Sequence, residues 1–439
     1  HHAAAKHIGD GHLQTFLSGA GGFDALVGNP PFVGGKKLTG LFGDDFRDHL
    51  VLYLADGRRG SADLCAYFFL RAVQVLRPRG TFGLLAVNTI AEGDTRQVGL
   101  EAMLRQGIAL YAARPNFEWP GAAAVVASAV HGVRGDWQGL RRINGAVVPT
   151  ISAYLSAEDE WSPKPLQKNA STSFIGSYVL GMGFTLPPPK ARQLIQQDLR
   201  NSEVLMPYIG GEDLNSSPDQ HAPRYVISFW DWPLERSVGE ASWSIADERQ
   251  RDAWFREGRV PLDYPGLVAA DFPELLEIVR RLVKPERDRK NRPVYRDRWW
   301  HYAEKQQALY HAIGRGQPFA RHPVDWSNGE PLEHVIAFAQ TSKTKYPLFI
   351  PNRYIFSHKV VVIASQDLGL FAILSSSIHY AWAHVQGSRM KTDAVYTPTD
   401  VYETFPFPGS EFSEELRTLG RRLHEYRSEL MRSQNLGLI

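Results

Sequence analysis

The sequence has one cysteine, Cys65, in 439 residues. A disulfide within the chain is therefore excluded and a cysteine-based zinc site lacks its ligands. That usage fits a reducing, cytoplasmic compartment. No apolar run reaches the roughly 18 residues that a membrane span requires, so no membrane partner is expected. No secretory leader is visible, and the opening His-His-Ala-Ala-Ala-Lys has no initiator Met. Residues 1–22 are read as a tag remnant or a truncated upstream segment. Charge imbalance is also missing: the formal net charge is only +2, so a surface for a polyanion has to come from local clustering. His301, His311, His322 and His334 do not show paired ligand spacing, so no metal site is expected. There is no fixed-period repeat.

What is present is an ordinary globular composition, with 43% hydrophobic and 22% charged residues, over a length suited to two or three domains. Residues 23–150 read as an α/β unit. "FDALVGN" is a short apolar strand. "SADLCAYFFLRAVQVLRPRG" (61–80) has helical apolar spacing and a Pro-Arg-Gly stop. "TFGLLAVNTI" (81–90) reads as a buried strand, "DTRQVGLEAMLRQG" (94–107) as a helix ended by Gly107, and "AAAVVASAVHG" (122–132) as a further strand. This alternation predicts a mostly parallel sheet with helices on both faces. Residues 151–180 are polar and turn-rich and read as a linker. Residues 181–410 form a second domain of α+β character with short strands such as "RYVISF" (224–229) and "HKVVVIAS" (358–365). In the C-terminal helix, 411–439, the residues Phe412, Leu416, Leu419, Leu423, Tyr426 and Leu430 make one apolar stripe, expected to dock within the chain.

One turn carries chemistry. After "FDALVG" the chain continues Asn29-Pro30-Pro31-Phe32. A turn at the C-terminal end of a parallel strand lies where open α/β sheets bind ligands. The two prolines fix φ and remove two backbone donors, leaving carbonyl acceptors. Asn29 adds a side-chain carbonyl and Phe32 a flat ring. Together they suit a planar ring with an exocyclic NH2: two acceptors take its hydrogens while the ring stacks. Drawing such a nitrogen towards tetrahedral geometry localises its lone pair for in-line attack on a sulfonium methyl, and positioning with electrostatics supplies the acceleration. A base in a duplex would first have to leave the stack. A plain turn is the competing reading, opposed by the strand before it and the strand–helix alternation after it.

On these residues the chain resembles the amino-group DNA methyltransferases that make N6-methyladenine or N4-methylcytosine from S-adenosylmethionine, and Asn in first place favours adenine. "ADLCAYFFLRAVQVLRPRGTFGLLAVNTI" is similar to the helix and strand that follow the catalytic motif there. "FEWPGAAAVVASAVHG" (117–132) resembles a later motif, which implies that Trp119 is a second stacking ring opposite Phe32, with Phe117 in reserve. "GLFAILSSSIHYAWAHVQGSRMKTDAVYTPTDVYETFPFP" (369–408) resembles the end of the target-recognition domain in single-chain restriction-modification enzymes of the MmeI group. The resemblance implies a partial Rossmann-like methyltransferase sheet followed by a DNA target-recognition domain. It implies Asn29, Pro30, Pro31 and Phe32 as catalytic residues, double-stranded DNA as partner, and a place in a bacterial restriction-modification or phage-defence system. It implies too that Pro31 and Asp63 border the cofactor, although a carboxylate such as Asp63, near an N-cap at Ser61, is more often a helix N-terminal charge.

The family's glycine-rich cofactor turn is not found in its expected place. "SGAGG" (18–22) precedes the catalytic strand and is read as a loop, so the missing part is expected from upstream sequence or another subunit. "DRK" (288–290) has no partner aspartate for a metal nuclease, and no Pro-Cys pair supports cytosine-C5 chemistry. The run 280–300 carries nine basic and three acidic residues with Tyr295, Trp299 and Trp300, and reads equally as a phosphate-contacting surface or a solvated helix. Lys343, Lys345, Arg353, Arg389 and Lys391 are the candidate DNA contacts. Two other readings stand beside an adenine methyltransferase: a recognition module inactive without a partner or its missing N-terminal region, and a methyltransferase acting on protein glutamine or RNA.

Overall fold

In the computed structural model, residues 21–439 are described except 59, 120–125, 158–162, 240, 322–330, 391, 392, 410 and 439, together with the side chains of 238, 388–390, 393 and 394. The chain divides into two compact units, residues 1–162 and 163–439.

Unit 1 is a six-stranded mixed sheet in the order β1-β2-β4-β3-β5-β6, made of β1 (Phe23–Gly28), β2 (Leu76–Val87), β3 (Ile108–Glu118), β4 (Val126–Arg134), β5 (Arg141–Ile143) and β6 (Ala146–Val148). Its helices are α1 (Gly35–Phe42), α2 (Asp44–His49), α3 (Leu64–Val75), α4 (Gly93–Val98) and α5 (Leu100–Arg105). The α/β class is as expected, but the sheet is not mostly parallel. β1 runs parallel to β2, while β4 is antiparallel to both β2 and β3. The sequence reading passed over β3 altogether and so missed the hairpin-like β3–β4 return.

The helix expected over 61–80 is shorter. It begins after Asp63, whose side chain accepts from the Cys65 amide, and stops at Val75. Leu76 already belongs to β2. The Arg77-Pro78-Arg79-Gly80 run is a bulge rather than a stop: the register with β1 jumps from Phe23–Leu76 to Ala25–Thr81. Arg79 takes φ +64° there, and a Cβ on Gly80 would sit 2.7 Å from the Phe23 carbonyl oxygen, so only glycine lets the two strands approach. The helix expected over 94–107 breaks at Gly99 into α4 and α5.

The unit 1 core lies where α3 packs on β2. Tyr67, Phe69, Leu70, Phe82, Leu84 and Ala86 are buried, and Phe69 meets Phe82 edge-on at 5.9 Å. Burial of each such large side chain is worth about 1.5–3 kcal/mol. Among the described residues β1 is the sheet's edge, with Val27 90% exposed.

Unit 2 contains a four-stranded antiparallel sheet in the order β15-β13-β17-β7, made of β7 (Ser173–Ile175), β13 (His334–Ala339), β15 (Leu348–Pro351) and β17 (Val360–Ile363). A second sheet has the order β16-β9-β10-β8, made of β8 (Thr185–Leu186), β9 (Leu205–Ile209), β10 (Arg224–Ile227) and β16 (Ile355–Phe356). β13 and β17 read as unbroken apolar runs because both faces are covered. Val335, Ala337, Val360 and Val362 enter one core; Ile336, Phe338, Val361 and Ile363 enter another, against α13 (Leu368–Leu374) and α14 (Ser377–Gln386).

The residues 163–180, expected to be linker, are built into unit 2. β7 pairs with β17, and the buried Asn169 Nδ2 donates towards the carbonyls of Tyr402, Glu403 and Phe405 at 3.2, 3.1 and 2.9 Å. The C-terminal helix α15 (Glu414–Gln434) packs on α13, with Gly420 so close to the Leu368 carbonyl that a Cβ would lie 1.9 Å from its oxygen. Its inner face is Leu416, Gly420, Leu423, Arg427 and Met431. The 4-3-4-3 stripe drifts off this face, leaving Leu419, Tyr426 and Leu430 exposed, because a straight helix turns every 3.6 residues rather than 3.5.

Candidate active site and nucleic-acid interface

Since β1 is parallel to β2, and β2 and β3 are both antiparallel to β4, the C-terminal ends of β1, β2 and β3 share one end of the sheet. Three segments meet that end: Asn29-Pro30-Pro31-Phe32 after β1, the 3-10 turn Asn88–Ala91 after β2, and Trp119 after β3. The first and last are three strand spacings apart, ~14 Å. The topology thus brings Phe32 and Trp119 to one mouth. Both are half-buried, and Phe32 packs against the unit 1 core. Asn29 is exposed, and its amide has no hydrogen-bond partner among the described residues. Pro30 is buried and Pro31 exposed. A bulge in β3 between Arg114 and Phe117, with Asn116 at φ +52°, re-aims the strand end that delivers Trp119. Phe117, the reserve ring, is already covered by the Arg114 guanidinium at 4.8 Å.

The segment following the turn is tightly held. The Leu64 amide donates to the Val33 carbonyl at 2.9 Å, and the Val33 amide donates to Asp63 Oδ1 at 3.3 Å. Asp63 is 6% exposed, and its own amide donates to Thr95 Oγ1 at 3.1 Å. Its carboxylate is turned into the protein, onto two backbone amides, which disfavours the cofactor contact expected of it. Neighbouring Cys65 is buried, and burial together with the Asp63 carboxylate pushes its thiol far above the usual range. Thr95 and Gly35 complete this arrangement and were not singled out from sequence. Thr95 stands over thirty positions from Asp63, with no pattern joining them.

The basic candidates part company. Lys343 is exposed just after β14 (Thr341–Ser342), which pairs with β19 (Asp393–Val395) and, through it, with β18 (Ser388–Met390). Lys343 is therefore beside the hairpin that carries Arg389, whose side chain lies outside the described set, as does the whole of Lys391. Arg353 is exposed in the turn between β15 and β16, on other sheets. Lys345 is corrected: it is 5% exposed, and its ammonium donates to the Ala383 carbonyl of α14, so it is a core strut. In the 280–300 run, Trp299 and Trp300 are buried, and the Trp300 indole donates to the Trp232 carbonyl at 3.0 Å. Arg287 is fully buried and donates to the Val179 and His301 carbonyls. Arg281, Arg289, Arg292 and Arg296 remain exposed. His301 is a core residue whose burial holds it neutral, with Nε2 2.7 Å from the Trp232 carbonyl oxygen. A cavity of about 850 Å³ in unit 2, walled by Trp230, Trp243, Phe255 and Tyr264, contains none of the predicted site residues. No helix of the described residues is long and apolar enough to cross a membrane.

Two family models match this chain. Residues 3–105 match the Eco57I restriction-modification methylase, and residues 317–409 match the MmeI target recognition domain. Among solved structures, the Type IIL restriction-modification enzyme MmeI in complex with DNA is similar with a TM-score of 0.63 and 17% identity, over 98% of this chain and 52% of that one. The DrdV–DNA complex is similar at a TM-score of 0.39 and 10% identity, over 95% of this chain and 46% of that one. A putative class I S-adenosylmethionine-dependent methyltransferase from Listeria monocytogenes covers 28% of this chain and 34% of its own, at a TM-score of 0.22 and 11% identity. No curated protein matches. The chain spans about half the length of the solved MmeI. It is thus similar to an Eco57I restriction-modification methylase over one segment and to an MmeI target recognition domain over another. The Asn-Pro-Pro-Phe turn lies inside the first matched segment and Lys343, Arg353, Arg389 and Lys391 inside the second.

Proposed function

We propose that this chain carries the base-binding and target-recognition parts of a site-specific DNA methyltransferase of a restriction-modification system, acting on adenine N6 in duplex DNA. The observation that carries the reading is the Asn29–Phe32 turn at the C-terminal end of β1, at the same sheet end as Trp119, within the segment that matches the methylase family. The Asn29 side-chain carbonyl and the Pro30 backbone carbonyl accept the two N6 hydrogens. Phe32 and Trp119 stack on the extruded base and replace the stacking it loses in leaving the duplex. S-adenosylmethionine, when bound, supplies an electrophilic methyl group. The turn fits that chemistry because Asn29 is exposed and uncommitted and two prolines leave its carbonyls unopposed. Pro31, exposed at the same mouth, would border the cofactor, whereas Asp63 does not fit that role. Lys343 and the exposed Arg353 would contact phosphate, as would Arg389, on the hairpin beside Lys343, and Lys391.

A second reading, methyl transfer only when further protein completes the sheet, is favoured by the exposure of Val27 on β1. Transfer of tritium from labelled S-adenosylmethionine to mixed-sequence duplex DNA distinguishes the two, comparing this chain with the native full-length protein. Label on adenine from both supports the first reading. Label from the full-length protein alone supports the second. Label on cytosine, or on protein or RNA instead of DNA, would overturn the adenine assignment. Asn29→Ala is expected to abolish transfer while DNA binding persists.

A further inference from the structure

Resting on the methyltransferase reading above, we infer that Asp63 is a positioning residue for the transfer step, acting through the loop that carries the Asn29–Phe32 turn. Three observations converge. Asp63 Oδ1 accepts from both the Val33 amide, at 3.3 Å, and the Cys65 amide, at 3.0 Å, so one oxygen ties the loop to the first turn of α3. The return bond, Leu64 amide to Val33 carbonyl at 2.9 Å, means that both backbone groups of Val33 are held by residues 63 and 64. Val33 directly follows Phe32, so its two bonds leave little freedom to the ring before it. Behind Asp63 stands Thr95, whose hydroxyl accepts from the Asp63 amide at 3.1 Å and fixes the tether to α4.

The tether cannot slacken by sliding. Gly35 lies so close to the opposing segment that a Cβ would be 2.3 Å from the Ser61 carbonyl carbon and 2.6 Å from the Ala62 oxygen. Three hydrogen bonds and this close backbone approach therefore hold the turn against the start of the helix. Only in a turn so held can a side-chain amide and a backbone carbonyl stay aimed at one nitrogen. Catalysis by positioning depends on that aim: the acceptors help only if they are in place before the base arrives.

The test uses the native full-length protein with Asp63→Ala and Asp63→Asn. Asp63→Ala is expected to lower kcat about tenfold or more with KM for S-adenosylmethionine and for DNA changed by less than about twofold. Asp63→Asn keeps an acceptor oxygen at the same place and is expected to restore most of kcat. A raised KM for the cofactor with unchanged kcat would overturn the proposal and make Asp63 a cofactor ligand. Equal kcat in all three proteins would overturn it too. If Asp63→Ala does not fold, Thr95→Val loosens the same tether from behind; a kcat-selective loss supports the proposal and an unchanged kcat refutes it. If the wild type transfers no methyl group, it is the methyltransferase reading that falls. The tether is then read from amide exchange at Val33, which is expected to quicken in Asp63→Ala and would refute the tether by staying the same.

Discussion

Gly35→Ala is the sharpest perturbation of the site. A Cβ at this position would stand 2.3 Å from the Ser61 carbonyl carbon, 2.4 Å from the Ser61 oxygen and 2.6 Å from the Ala62 oxygen. Real contacts of this kind begin near ~3.2 Å, so the loop must retreat by about 1 Å, and because every opposing atom is backbone no side chain can rotate away. A retreat of that size stretches the 2.9 Å bond from the Leu64 amide to the Val33 carbonyl, and the 3.3 Å bond from the Val33 amide to Asp63, beyond hydrogen-bond range. Two lost bonds at about 1 kcal/mol each give about 2 kcal/mol, or a fall in melting temperature of roughly 6 °C. A displacement of ~1 Å at the reacting groups is worth about a hundredfold in rate. Calorimetry and single-turnover methyl transfer measure the two effects separately. Gly34→Ala is the control. It is the adjacent residue, its φ is −55°, and a Cβ there would meet nothing within 4 Å, so both readouts should stay at wild-type values. A folded Gly35→Ala protein with wild-type single-turnover rate would refute the claim that the turn is held by residues 61–64.

Further outcomes are expected away from the turn. His379 is fully buried, its Nδ1–H donating to the Leu374 carbonyl and its Nε2 accepting from Tyr396, and burial lowers its pKa to about 4. The unfolded chain therefore takes up this proton first as pH falls, so stability is full above about pH 6.5 and declines towards pH 4, by about 3 kcal/mol. Urea unfolding of wild type and His379→Gln across that range should show a shallower slope in the variant; parallel curves would contradict it. Asn169→Asp faces three backbone carbonyls with a carboxylate in place of a donor, and should cost about 3 kcal/mol at pH 7. The new group would be most tolerated protonated, so the deficit should shrink in acid; an unchanged denaturation midpoint at pH 7 would be the contrary result. Cys65 should resist thiol reagents until the protein unfolds, since burial keeps it a thiol; fast labelling of native protein would show α3 opening locally.

Much of the candidate site can be read along the chain because its parts are local. Asn29, Pro30, Pro31 and Phe32 are consecutive, the strand before them is a simple apolar run, and the prolines announce what the backbone cannot donate. The α/β alternation, the strands at 224–227 and 360–363 and the C-terminal helix are local patterns too. What failed was what depends on a partner far away. Lys345 reads as surface charge from its neighbours, yet a carbonyl 38 residues later draws it inside. Arg77-Pro78-Arg79-Gly80 reads as a stop, yet β1, more than fifty residues earlier, turns it into a strand bulge. Residues 163–180 read as linker because their polar groups bond to segments over two hundred positions on.

Sequence alone determined the acceptors and the ring of the turn, because side-chain chemistry and proline's fixed φ need no tertiary partner. It could not determine which end of which sheet they face, or what holds them there. The antiparallel β4 decided that Trp119 opens on the same mouth as Asn29, since strand direction follows from pairing and not from composition. The fold also decided what the Asp63 carboxylate touches. A carboxylate's partners are set by which amides packing leaves within 3.3 Å of it, and here those amides are Val33 and Cys65.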